Sequence, residues 1–150
     1  GFYKQFDSKE ALAVEATAAA LEANQANWAA SFAEAQGDPL EALARWYLTP
    51  AHVQAREKGC AFAALAAEAP RHGPAMGEVF AAALERWIAM ISEATPGEPP
   101  SRASVLRALS TMVGALVLAR AVADDALAQE ILASAGPTAA TTPPSQRGPG

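Results

Sequence analysis

From residue 8 to residue 36 the chain offers nothing that would stop a helix, and Gly37 then supplies a stop. Within that stretch Val14, Leu21 and Trp28 recur at seven-residue spacing, with Gln25 and Phe32 on the neighbouring line. Side chains so spaced share one face of a helix, so the stretch predicts one long amphipathic helix with a stripe to bury. Asp7 or Ser8 is the expected cap, and Glu10 can reach back towards free backbone N–H groups of the first turn. At about 1.5 Å per residue the helix would span roughly 40 Å, so shorter elements must assemble around it.

Those shorter elements are well punctuated. Asp38, Pro39 and Glu41 form the strongest helix-start signal in the chain. The helix they open carries Leu40, Leu43, Trp46 and Tyr47 and ends before Thr49-Pro50, a pair that opens a short helix over 51–56, ended by Gly59. A second short helix is expected over 60–69, closed by Pro70, with a turn at 71–74. Over 75–94 Phe80, Leu84, Trp87, Ile88 and Ile91 make one apolar face. Pro96-Gly97-Glu98-Pro99-Pro100 is a break. Ser101 then caps a helix over 102–123 that is apolar around much of its circumference, and Asp124 or Asp125 caps a last one to Ala135. Gly136-Pro137 gives a stop. The tail 136–150 lacks a large apolar residue, cannot offset its ordering entropy, and is expected to be flexible.

Composition agrees with an all-α fold. Hydrophobic residues make up 51% of the chain, but much of that is Ala, a strong helix former with little apolar area. Trp, Phe, Leu and Met must therefore fill the core. Val and Ile show no two-residue alternation, so strands are not expected. A formal net charge of −5 argues against a basic nucleic-acid surface. Cys60 is the only cysteine, which excludes an internal disulfide, and a small buried residue is the expected role rather than a thiol sensor. His52 and His72 lack the Cys or carboxylate spacing of a metal site. No phosphate-cradling Gly-rich loop or nucleophile elbow is present, so neither catalysis nor a cofactor is expected. The most apolar window, 105–122, holds Arg107, Ser110, Thr111 and Arg120, and no signal segment opens the chain. A cytoplasmic protein that does not cross a membrane is the expectation.

One segment is more specific. Gly1-Phe2-Tyr3-Lys4-Gln5-Phe6-Asp7-Ser8-Lys9-Glu10-Ala11-Leu12 resembles the junction of TetR-family transcriptional regulators, where a Tyr-x-x-Phe-x-Ser-Lys-x-x-Leu pattern joins the helix-turn-helix to the first core helix. The segments 56–66, 84–88 and 114–121 also resemble one subgroup of that family. The resemblance implies that residues 1–7 are a remnant of a DNA-binding head missing from this chain. It implies that 8–135 form an effector-binding and dimerisation domain of about six helices. Tyr3, Lys4 and Lys9 would approach DNA phosphates, which positions a protein without reading bases.

The same resemblance implies a homodimer, in which the last two long helices pack against their symmetry mates as a four-helix bundle. A helix apolar nearly all round needs cover on more than one side. Leu106, Leu109, Val113, Leu116 and Val117 can face the domain's own core, leaving Ala108, Met112, Ala115 and Ala119 as a low-profile dimer face, joined by Leu127 and Ile131. The other reading makes this the central helix of a monomer.

The resemblance also raises a ligand pocket above plain core packing for the aromatic stripes. Its expected lining is Gln25, Trp28, Phe32, Trp46, Tyr47, Phe62, Phe80, Trp87 and Thr111, suited to a small apolar or aromatic effector. Arg45, Arg86 or Arg120 would matter only if one turned inward to meet an acid. The alternative is an all-helical structural or interaction module without a pocket.

Overall fold

The computed structural model describes the backbone of residues 2–35, 37–56 and 59–136, and the side chains of that set from Ser8 onwards. It is all-helical, with no strand among the described residues. Among the described residues the seven α-helices are α1 (Phe2–Glu34), α2 (Pro39–Tyr47), α3 (Pro50–Gln54), α4 (Ala61–Leu65), α5 (Pro74–Ala94), α6 (Arg102–Ala121) and α7 (Asp125–Ala135). A 3-10 segment, Ala66–His72, joins α4 to α5.

The punctuation works through side-chain caps. Asp38 Oδ1 accepts from the Leu40 amide at 2.9 Å, and Thr49 Oγ1 from the His52 amide at 3.2 Å. Ser101 Oγ accepts from the Ser104 amide at 3.2 Å, and Asp124 Oδ1 from the Leu127 amide at 3.0 Å. Each satisfies a backbone donor that the first turn leaves without an intrahelical partner. Gly37 has φ +107°, a left-handed conformation that glycine adopts without penalty, and the chain reverses there into α2.

Two boundaries differ from expectation. α1 does not begin at Asp7 or Ser8; it runs on from Phe2, because nothing in Phe2-Tyr3-Lys4-Gln5-Phe6 resists helix geometry. Glu10 accordingly makes no capping contact and instead meets His72 Nδ1 at 3.0 Å. Pro70 does not close a helix either: it lies inside the 3-10 segment, which continues to His72. The last helix is short, at 11 residues, rather than long. The flexibility expected for the tail falls on 137–150, outside the described residues.

α1 buries Thr17, Leu21, Asn24 and Trp28, a stripe at helical spacing in which polar and apolar residues alternate. Its first half packs on Ala61, Met76, Phe80 and Ala83, a small cluster built with α4 and α5. Its second half enters the main cluster, where Trp28 meets Leu43 and Tyr47 of α2, Trp87, Ile88 and Ile91 of α5, and Val105, Leu109, Met112 and Leu116 of α6. α7 folds back on α6.

By length and composition α6 is apolar enough to cross a membrane. One ridge of it, Val105, Leu109, Met112 and Leu116, is buried against α1, α2 and α5, while only about a third of its apolar window is buried in all. Leu116, at the C-terminal end of that ridge, is fully buried. Leu116→Ala should destabilise the fold by about 2–5 kcal/mol, read as a lowered urea midpoint with an unchanged slope.

Candidate functional site

The expected pocket residues do not surround one cavity. Trp28, Tyr47, Phe62, Phe80 and Trp87 come together, but as a packed aromatic cluster. The Trp28 and Trp87 ring centroids are 3.7 Å apart with planes inclined 36°. Tyr47 meets Trp28 edge-on at 6.2 Å, and Phe62 bridges Trp87 at 4.5 Å and Phe80 at 5.1 Å. Phe32 packs half-buried against this cluster.

The other three lie elsewhere. Trp46 is 41% exposed, because adjacent residues project about 100° apart around a helix and its neighbour Tyr47 takes the buried side. Gln25 sits at the surface between α1 and α5, where Arg86 Nη1 donates to its Oε1 at 3.2 Å. Thr111 is on the exposed side of α6, its hydroxyl donating to the Arg107 carbonyl at 2.8 Å.

Open grooves flank the cluster instead. One of about 500 Å³ runs between α2, α6 and the end of α7, lined by Leu40, Ala44, Ala108, Met112, Thr111 and Ala135 among others. A second, about 310 Å³, lies between α1, the 3-10 segment and α5, over Ala13, Thr17, Met76 and Phe80, with the His72–Glu10 pair at its edge.

The expected dimer face needs correction as well. Met112, Ala115 and Ala119 are buried within the chain, since Met112 is on the core ridge and α7 covers the line beside it. Ala108 is half-buried in the larger groove. The apolar residues left open on this pair of helices are Val117 (44%), Leu118 (57%) and Leu127 (42%), with Ile131 half-buried. Val117 therefore faces out, not into the core. Lys9 is exposed on α1, while the side chains of Tyr3 and Lys4 lie outside the described residues.

Beside the aromatic cluster is a buried polar group that the residue pattern did not reveal. His52 Nδ1 donates to the Tyr47 carbonyl at 2.8 Å, and His52 Nε2 accepts from the Cys60 amide at 3.0 Å. Arg120 turns inward, as one of three arginines was expected to do only for an acid, but it meets the end of α3. Its Nη2 donates to the His52 carbonyl at 2.9 Å and its Nε to the Val53 carbonyl at 3.2 Å. Asn24 completes the group, donating to the Gly59 carbonyl at 3.2 Å and accepting from the Ala61 amide at 2.7 Å. The single sequence signal was an Asn on the line of Trp28 and Leu21, where an apolar residue would be expected.

Of the four titratable groups gathered here, Tyr47, His52, Cys60 and Arg120, the geometry commits His52 and Arg120 to backbone partners. Both ring nitrogens of His52 are engaged. Burial, together with the Arg120 charge, holds its pKa below the ordinary value, against the opposing bond to the Tyr47 carbonyl. Burial pushes the Cys60 thiol up and the Tyr47 phenol far above its usual range. No group of three or more His, Cys, Asp or Glu is placed to hold a metal among the described residues.

Comparison of the chain with protein-family models and with curated proteins finds no match.

Two measurements follow from the polar group. A Cβ at Gly59 would stand 2.7 Å from Arg120 Nη2 and 2.8 Å from both the Ala55 carbonyl and His52 Nε2. Gly59→Ala should therefore cost about 1–3 kcal/mol in a denaturant titration. The unfolded chain protonates His52 near pH 6.5 while the folded chain resists, so stability should fall as pH drops below about 6.5. The slope is bounded at about 1.4 kcal/mol per pH unit for one proton, and the difference between the parent and His52→Asn isolates it.

Proposed function

We propose that this chain is the ligand-sensing and dimerisation domain of a TetR-like transcriptional regulator. The observation that carries the reading is α1. The helix is unbroken from the Tyr-x-x-Phe-x-Ser-Lys segment, which resembles the family's DNA-head junction, into the aromatic core at Trp28. In this reading a helix-turn-helix joins α1 at its N-terminal end, and the chain touches DNA only through that head and Tyr3, Lys4 and Lys9. A small apolar or aromatic effector that prefers another placement of α1 shifts the balance between two placements and so alters operator binding. Such a regulator works in the cytoplasm.

The dimer surface in this proposal is the exposed edge of α6 and α7. Leu118 near the end of α6 and Leu127 at the start of α7 flank the short connection at 122–124, with Val117 and Ile131 beside them. Exposed apolar side chains grouped in this way mark an interaction surface, and two-fold pairing through one such patch is the default geometry.

A specific observation favours a second reading, the structural or interaction module. Trp28 and Trp87 are in direct contact, so the aromatic cluster holds no open space between them. Sedimentation is the first test of the sensor reading. The chain should run at twice 15.4 kDa, and Leu118→Arg combined with Leu127→Arg should return it to 15.4 kDa. A parent chain that stays at 15.4 kDa at high concentration would overturn the dimeric reading.

A further inference from the structure

Thr17 stands on the buried stripe of α1, one turn before Leu21, and is only 7% exposed. The hydroxyls of Ser31, Thr95 and Thr111 each donate to the carbonyl four residues back, whereas that of Thr17 makes no hydrogen bond among the described residues. Nor is it sealed in, since the side-chain polar atoms closed off from solvent without a partner are the Tyr47 hydroxyl and Trp87 Nε1. Its opening is the groove of about 310 Å³ between α1, the 3-10 segment and α5, which Thr17 lines. Polar groups buried to this degree ordinarily have a partner, so the groove is where this hydroxyl must find one.

The rest of the lining sets the chemistry of an occupant. Ala13, one turn before Thr17, is too small to fill the space beside it, and Met76 and Phe80 of α5 add apolar surface. Two ionisable residues line the groove, and both are already engaged. Glu68 accepts from Arg71 at 3.2 Å, and His72 meets Glu10 at 3.0 Å. No uncommitted charge among the lining residues is left to offset the cost of desolvating a charged ligand. At about 310 Å³ the groove stands at the small end of ligand sites, which run from about 300 to 1,000 Å³.

The geometry points to a binding site in this groove for a small uncharged molecule with a compact apolar body and one hydroxyl group, the body resting on Met76 and Phe80 and the hydroxyl pairing with that of Thr17. As an effector site it rests on the sensor reading, and it moves the ligand away from the packed aromatic cluster to the first half of α1. The Glu10–His72 contact ties that half of α1 to the 3-10 segment at the edge of the same groove. An occupant that fits better with α1 and the 3-10 segment further apart therefore favours another placement of α1.

The test titrates the full chain with 1-naphthol and with naphthalene, which differ by one hydroxyl, and follows backbone amide shifts by NMR. Naphthol should bind roughly three- to tenfold more tightly, the range of one net hydrogen bond, with the shifts centred on Ala13, Thr17, Met76 and Phe80. Thr17→Val keeps the shape and removes the hydroxyl, so the preference should vanish; Thr17→Ser restores the hydroxyl and should restore it. Ala13→Leu fills the groove and should weaken both molecules at least tenfold. Circular dichroism checks that each variant folds, and the parent titration decides by itself if one does not. Binding of neither molecule, equal affinity for the two, shifts centred on the groove between α2 and α6, or a preference that survives Thr17→Val would each overturn the site. The dimeric sensor reading stands or falls separately, on sedimentation.

Discussion

The backbone at the end of α3, at His52 and Val53, and that of Gly59, Cys60 and Ala61 at the start of α4 lie beside buried side chains, and their polar groups cannot be left unpaired there. Buried N–H and C=O groups need partners. Three side chains from three different helices provide them: His52 from α3, Asn24 from α1 and Arg120 from α6. Gly59 makes the arrangement possible, since it lies where those groups converge and has no side chain to obstruct them. The arrangement fixes where α4 begins, and therefore where Phe62 enters the aromatic cluster. It also ties α1 and α6 to one short connection, so the two clusters along α1 are held in register. Its contribution rests on completeness, because removing one partner leaves the other groups buried and unpaired.

Most of the helical frame was legible in the residues, because caps and stops act locally. Asp38, Thr49, Ser101 and Asp124 perform as their side chains dictate, and the apolar face of α5 follows from its spacing. Where the reading failed, the cause was non-local or a matter of competing local preference. Asp7-Ser8 has capping chemistry, yet residues on both sides accept helix geometry, so the helix continues through them. Pro70 cannot donate a backbone hydrogen bond, but a 3-10 segment accommodates it.

The site was less legible. Trp28, Tyr47, Phe62, Phe80 and Trp87 do meet, which helical spacing implies; that they fill the space between them is a property of ring orientation, invisible in one dimension. On α6, nearly every face carries an apolar residue, so periodicity alone could not say which ridge enters the core. α7 decides it by covering the line of Ala115 and Ala119, and Val117 and Leu118 are left outside. Arg120 and His52 were unreadable for a related reason, as their partners are main-chain carbonyls and amides that carry no signature of their own.

The unbroken course of α1 has a mechanical consequence. Ser8 and Trp28 are twenty residues apart on a single helix, hence separated by about 30 Å. A stiff rod of that length converts a tilt of about 5° at one end into a displacement of about 2.5 Å at the other, comparable to half a helical turn. No relay of side chains is required over that distance, because the backbone hydrogen bonds of the helix transmit the angle themselves. The angular change need only be small, so thermal fluctuation at Trp28 is amplified in the same proportion. Asn24, one turn from Trp28, is itself fixed by its two hydrogen bonds to Gly59 and Ala61, which anchors the helix near that end.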